Sequence, residues 1–458
     1  MADVVDALRE ALGARAVLEE DTGGGAPDWL GGSGHTPALA VLRPASTEEV
    51  STALRICHAH GQPVVPQGGR TGLVHGADTN ERTLALSLAR MQAIEAIDPV
   101  NRTMTVQAGV PLQRVQEAAD DQELLFPLDL GARGSATIGG NIATNAGGNR
   151  VIRYGMMRDN VLGLEAVLAD GTVVSSMHPM LKNNTGYDLK QLFVGSEGTL
   201  GVVTRAVLRL RQKPRSEHVA FVAVPDFDRV TALLARVDAE LGGMLSAFEV
   251  LWDDFYRLIT TPPAENRPPL PTRSPFYVLI EALGGDEAAD TERFQSVLAR
   301  ALEDGLVVDA AVATSAADRA RLWALRDDVG QVRRHAPVQT FDVSLPIPAV
   351  PGYVEEVNAR LGERFGDFVN FVFGHLGDGN IHLIVGPGDR DPATRHAVEE
   401  IVYGALAPRG GSVSAEHGIG LEKKPWLAVS RSEAERAVMR ALKQALDPDG
   451  ILNPGKIL

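Results

Sequence analysis

Between Ser46 and Gly61 the chain reads STEEVSTALRICHAHG, with apolar residues at 50, 53, 54 and 57, the spacing of one buried helix face. Ser46 and Glu49 stand in the relation of a capping box and Gly61 is a C-terminal stop, so a helix is predicted between them. The opening MADVVDALREALGARAVLEED predicts a first amphipathic helix. Short apolar runs predict strands at Pro63–Pro66, Thr83–Leu88, Thr103–Ala108 and Leu164–Ala169, which makes the first 210 or so residues a mixed α/β unit. After RLRQKPRSEH the texture changes. A strand (Val219–Val224), a helix (Phe227–Leu241), a strand (Phe276–Ala282), a helix (Asp290–Asp304) and a strand (Leu306–Ala313) predict an α+β layer with an antiparallel sheet. The runs VNFVFG and IHLIVG flank LGDGN, whose turn signals predict a hairpin with His375 and His382 at its closed end. A helix over Glu433–Leu446 then leads into DPDGILNPGKIL, read as a tail packed back onto the body.

A length of 458 residues exceeds what one core usually serves and predicts two or three domains, with a boundary near residue 213. The net charge of -15 weighs against nucleic acid or an anionic membrane as partner, since either would require a basic face. No apolar run reaches the roughly eighteen residues of a membrane span, and the N-terminus resembles neither a secretory signal nor a transit peptide, so a cytoplasmic protein is expected. The single cysteine, Cys57, excludes a disulfide framework and falls on the apolar stripe of the predicted helix, where an inert buried thiol is expected.

Glycine changes the picture, because it is concentrated. PQGGRTGLVHGAD (66–78) follows a short strand but matches neither the Walker nor the dinucleotide GxGxxG pattern. Its glycines could gather backbone N–H groups around a pyrophosphate, or simply form a surface loop. PLDLGARGSATIGGNIATNAGGNRVIRYG (127–155) keeps its side chains short, which lets backbone approach a flat aromatic ligand, and GSEGTLGVV (195–203) repeats the device. In the hairpin, two neutral imidazoles with a carboxylate such as Glu416 in SAEHGIG would make three ligands and leave open positions, the pattern of a catalytic metal site. Two histidines beside a turn can equally fill surface or core.

Taken in order, PQGGRTGLVHGA, PLDLGARGSATIGGNIATNAGG, FVGSEGTLGVVT, GHLGDGNIH, AEHGIG and ILNPGK resemble the FAD-linked D-2-hydroxyacid dehydrogenases, which include D-lactate and D-2-hydroxyglutarate dehydrogenases. These are flavoproteins of the vanillyl-alcohol-oxidase type. The resemblance implies an α+β chain: a two-part FAD-binding domain (1–212), a substrate or cap domain with the metal site (213–420), and a C-terminal helical segment (421–458) packing back on the first. It implies non-covalent FAD, with Pro66, Gly68, Gly69, Arg70, Thr71 and Gly72 about the pyrophosphate. Pro127, Asp129, Ser135, Gly139, Gly140, Ala143, Thr144, Asn145, Gly147 and Gly148 would follow the isoalloxazine and ribityl chain, with Glu197, Gly198, Gly201, Val203 and Asn453 completing the site. In the first loop, relatives usually carry Asn in place of Arg70 and Gly in place of His75, and His75 raises the question of a covalent flavin link.

The same resemblance assigns His375, His382 and Glu416 to a divalent metal, zinc or manganese, His417 to the general base and Arg326 to the substrate carboxylate, with Asn380 near the substrate. The implied reaction oxidises a D-2-hydroxyacid to a 2-oxoacid, with electrons leaving to an electron-transfer flavoprotein, quinone or cytochrome; a homodimer is admitted. Where many relatives carry a lysine before the DVSLP strand this chain has Thr340, which weakens the case for a second substrate carboxylate, although Arg333, Arg334 or His335 could substitute. Two other readings stand beside this one. A metallohydrolase would use the histidines and Glu416 to activate water, and a non-catalytic FAD sensor would leave the base without purpose.

Overall fold

The computed structural model describes residues 2–19, 37–271 and 273–458. They form two compact units: the first holds the chain up to Gly148, Gly155–Lys213 and Glu416–Leu458, the second Asn149–Tyr154 and Pro214–Ala415.

In the first unit, strands Ala40–Leu42 and Val64–Gln67 both run parallel to Leu84–Ser87, which lies between them. The connection joining the outer two contains the helix Thr47–Ala59. Ser46 caps it, accepting the Glu49 N–H at 3.3 Å, but the Glu49 carboxylate takes the N–H of Ala45 at 2.8 Å, one residue outside the expected box. Its buried stripe is the one read from the sequence, Val50, Ala53, Leu54 and Cys57. Burial pushes the Cys57 thiol up to about 12, so it is an inert core side chain.

A second sheet of the same unit is antiparallel throughout, in the order Ile94–Asp98, Thr103–Gln107, Val202–Arg209, Val161–Val167, Val173–Ser176. The helix Glu433–Leu446 carries a complete capping box between Ser432 and Glu435. The tail beyond it does pack on the body: Val64 N–H meets Ile451 O and Asn453 N–H meets Val64 O, each at 2.8 Å, extending the parallel sheet by a bridge.

The second unit is built on a seven-stranded antiparallel sheet. Its order is Asp309–Val312, Ser216–Val224, Phe276–Gly284, Leu245–Trp252, Val369–Gly374, Asn380–Gly386 and Gln339–Ser344. The helix Phe227–Glu240 is capped by Asp226 and buries Phe227, Val230, Leu233 and Val237. The next helix begins at Glu287, three residues before its expected start, because Asp286 caps it while Asp290 is buried and accepts from Ser216 at 2.5 Å. The strand Leu245–Trp252 was not expected at all. The hairpin forms, but its connection is five residues long and contains a 3₁₀ turn at Leu376–Asp378 closed by left-handed Gly379.

Candidate active site

In the first unit the three glycine-rich blocks meet around a cavity of about 360 Å³. Pro66, Gly68 to Gly72, Gly139, Gly140, Ala143, Thr144, Gly147, Glu197, Gly198, Gly201 and Val203 line it, together with Glu416 and His417. The glycines divide into two kinds. A Cβ on Gly69 would lie 1.9 Å from Ser135 O, on Gly148 2.1 Å from Asp129 O, and on Gly139 2.7 Å from the Ala108 Cβ, so these positions are small because backbone or a Cβ fixed to it packs against them. A Cβ on Gly72 would meet nothing within 4 Å, and one on Gly140 only the Thr137 hydroxyl at 3.4 Å. Those two leave space in the cavity itself, and a wall of short side chains fits a large planar cofactor.

Pro127, Asp129, Ser135, Asn145, Gly148 and Asn453 lie outside the lining. Asp129 and Ser135 supply the backbone on which Gly148 and Gly69 pack. Asn145, at φ 49°, accepts the Arg158 N–H. Asn453 donates to Gly76 O at 3.0 Å and to Glu197 O at 2.6 Å, tying the tail to two of the glycine blocks. His75 is not in the lining either; its Nδ1 lies 2.9 Å from Asp78 and its Nε2 3.5 Å from Glu422.

Glu197 has a task the sequence did not suggest. Its carboxylate accepts the N–H groups of Ile419 and Gly420 at 2.7 and 2.8 Å, which fixes the loop directly after His417. Burial pushes this carboxyl up, and the two amides and Lys423 oppose the shift. His417 is thereby held at the cavity wall.

In the second unit, His375 follows strand Val369–Gly374 and His382 lies on Asn380–Gly386, with ring centroids 5.3 Å apart. Asp342 stands opposite His382 in register, and its carboxylate accepts the N–H of Ala415 at 3.1 Å. Glu416 is the next residue, one peptide bond from this anchor. Arg326, at the end of helix Ala316–Asp327, is not a surface side chain. Its Nε donates to Glu249 at 2.8 Å and its Nη2 approaches His375 Nε2 at 3.0 Å, while Asp327 is a more distant partner at 3.8 Å. Glu249 also receives His375 Nδ1 at 2.6 Å. Burial alone would push the Glu249 carboxyl up; His375 and Arg326 outweigh it and hold the group down to about 2.

Glu249 escaped the sequence analysis, and its one signal was a lone acid in the apolar run LSAFEVLW. Asn380 is 3 % exposed, yet neither atom of its side-chain amide has a hydrogen-bond partner. A buried amide in that state calls for a partner, which water, an ion or a ligand could supply. Arg333, Arg334 and His335 are exposed, and Arg334 donates to the carbonyls of Gln331 and Leu258.

Comparison with known proteins decides the lineage. The family of FAD linked oxidases, C-terminal domain, matches residues 213–457, and an FAD binding domain matches residues 38–176. The chain belongs to the FAD-linked oxidases. It is 42 % identical to the mitochondrial D-2-hydroxyglutarate dehydrogenase of Bos taurus over 94 % of its length and 78 % of that protein. It is also 42 % identical to the D-2-hydroxyglutarate dehydrogenase of Xanthomonas citri pv. viticola, over 92 % of its length and 89 % of the relative. Two solved structures share the fold: an alkyldihydroxyacetonephosphate synthase (TM-score 0.76, 18 % identity, 99 % of this chain and 86 % of that one) and a p-cresol methylhydroxylase (TM-score 0.76, 16 % identity, 100 % and 96 %). The chain is therefore an FAD-dependent oxidoreductase with an α+β fold of the p-cresol methylhydroxylase type. This leaves no room for the metallohydrolase reading. No helix among the described residues is long and apolar enough to cross a membrane.

Proposed function

We propose that this FAD-linked oxidase is a metal-dependent dehydrogenase that oxidises a D-2-hydroxyacid, with D-2-hydroxyglutarate as the first candidate, to the 2-oxoacid. The observation that carries the reading is the 3.0 Å approach of Arg326 to His375 Nε2. It sets a carboxylate-binding cation beside a metal-type nitrogen, and a 2-hydroxyacid offers a carboxylate and a hydroxyl on adjacent carbons. By the resemblance to the D-2-hydroxyacid dehydrogenases, His375, His382 and Glu416 would hold a divalent ion, zinc or manganese. Such an ion would supply Lewis acidity to the substrate hydroxyl, and bound FAD supplies the two-electron acceptor. Arg326 would hold the carboxylate in a fork, and the unpartnered amide of Asn380 would meet the substrate's remaining oxygens. His417, at the wall of the flavin cavity, would take the hydroxyl proton. The two electrons then pass to an external acceptor such as an electron-transfer flavoprotein, a quinone or a cytochrome.

The names of the relatives favour D-2-hydroxyglutarate, whereas Thr340 supplies no cation for its second carboxylate. A substrate screen resolves this: D- and L-forms of 2-hydroxyglutarate, malate and lactate with an artificial acceptor dye, before and after chelation and with zinc or manganese restored. D-selective oxidation, lost on chelation and regained with metal, is expected. Turnover of L-forms alone, or turnover indifferent to chelation, would refute the proposal.

A further inference from the structure

We propose that Glu249 is the positioning residue that joins the metal and substrate functions, setting the ring of His375 and the reach of Arg326 with a single carboxylate. The inference rests on the metal reading above. Strand register brings the residues together: Val250 stands opposite Gly374 on the neighbouring antiparallel strand, so Glu249 and His375 are the next pair along. One oxygen of Glu249 accepts from His375 Nδ1 at 2.6 Å and the other from Arg326 Nε at 2.8 Å. The Glu249 side chain is 1 % exposed, so water cannot replace either partner.

The consequence concerns tautomers. With its proton on Nδ1 and committed to Glu249, His375 keeps a lone pair on Nε2, the state a metal ion needs. Arg326 Nη2, itself aligned by the Glu249 contact at Nε, now points at that lone pair from 3.0 Å. An ion taking the lone pair would release this N–H of Arg326 for the substrate carboxylate. Two donors thus converge on one side chain with two acceptor oxygens. Glutamine keeps the volume but must turn an N–H toward one of the two donors, and so loses either the tautomer or the guanidinium alignment.

The test uses the FAD-loaded full-length chain, stripped of metal with a chelator and titrated calorimetrically with zinc or manganese. Glu249→Gln is expected to bind the metal about 10- to 100-fold more weakly than the wild type, with the same FAD content and, at neutral pH, a melting temperature lowered by several degrees. The substrate KM should rise with it. Glu249→Asp keeps both acceptors but draws them one carbon back; it should fall between the two and serves if the glutamine variant does not fold. His382→Ala is the control. If His382→Ala loses metal while both Glu249 variants keep wild-type affinity, the role of Glu249 is overturned and the metal site stands. A lower melting temperature at unchanged metal affinity would likewise reduce Glu249 to a structural side chain. If the wild type takes up no metal, or His382→Ala binds as well as the wild type, the metal reading itself fails.

Discussion

Gly140→Val separates a glycine kept for the cofactor from one kept for the fold. Gly140 sits in the short helix Ile138–Ala143, where any residue but proline is a better helix former, and its added Cβ would touch only the Thr137 hydroxyl at 3.4 Å. The rest of a valine side chain would stand in the cavity that three glycine blocks leave open. Crowding a well-packed interface by such a group costs about 1–3 kcal/mol, which is about a five- to 150-fold weaker FAD dissociation constant at about 1.4 kcal/mol per decade. The folded protein without FAD should be as stable as the wild type. Gly139→Val is the counterpart: its Cβ would lie 2.7 Å from the Ala108 Cβ and 3.1 Å from Ala108 O, where backbone cannot yield. That variant should lose several degrees of melting temperature even without FAD, at about 2–4 °C per kcal/mol for a unit of this size. The assay is flavin absorbance per chain after purification, titration of the stripped protein with FAD, and thermal melts of the stripped forms. Gly140→Val binding FAD as tightly as the wild type, or losing FAD only in proportion to its stability, would show that the cofactor does not pass over Gly140.

Arg326→Ala should lower kcat/KM about 100-fold, since a charge-assisted hydrogen bond is worth about 2–3 kcal/mol; unchanged kinetics would confine Arg326 to its ion pair with Glu249. His417→Ala should keep FAD and metal near wild-type content by absorbance and metal analysis, while turnover falls by about two to four orders of magnitude. Emptying of the metal by that change, with Glu416→Ala still loaded, would exchange the two assignments. Glu249 also gives a pH signature. Its carboxyl lies at about 2 in the fold against an ordinary 4.5, so the stability it contributes is present above pH 4.5 and is lost as the pH falls toward 2. At about 1.4 kcal/mol per unit this is about 3 kcal/mol, and denaturation midpoints of the wild type and Glu249→Gln should converge across that window; a gap that stays constant with pH would refute the assignment.

Local chemistry was legible in the chain. The helices starting at Thr47, Phe227 and Glu433 follow from a cap and an apolar stripe written within a few residues, and the hairpin carrying His375 and His382 follows from two apolar runs and a glycine turn. The three glycine blocks announced a cofactor because their excess over turn-making needs is visible in composition alone. The tertiary structure decided what no short window contains. Gly69 and Gly140 look alike in sequence, but one is small because Ser135 backbone lies against it and the other because the cavity does. Arg326 was named from the resemblance alone, and nothing near it in sequence shows that it is held against buried Glu249, 77 positions away. Glu249 was invisible as a working residue and Glu197 was named only for the cofactor wall, since a lone acid acquires such a role only from the donors that strand register and loop packing bring to it. Those donors, His375 Nδ1 at 2.6 Å and the amides of Ile419 and Gly420, come from segments more than a hundred residues distant, where only the closed fold sets the distance.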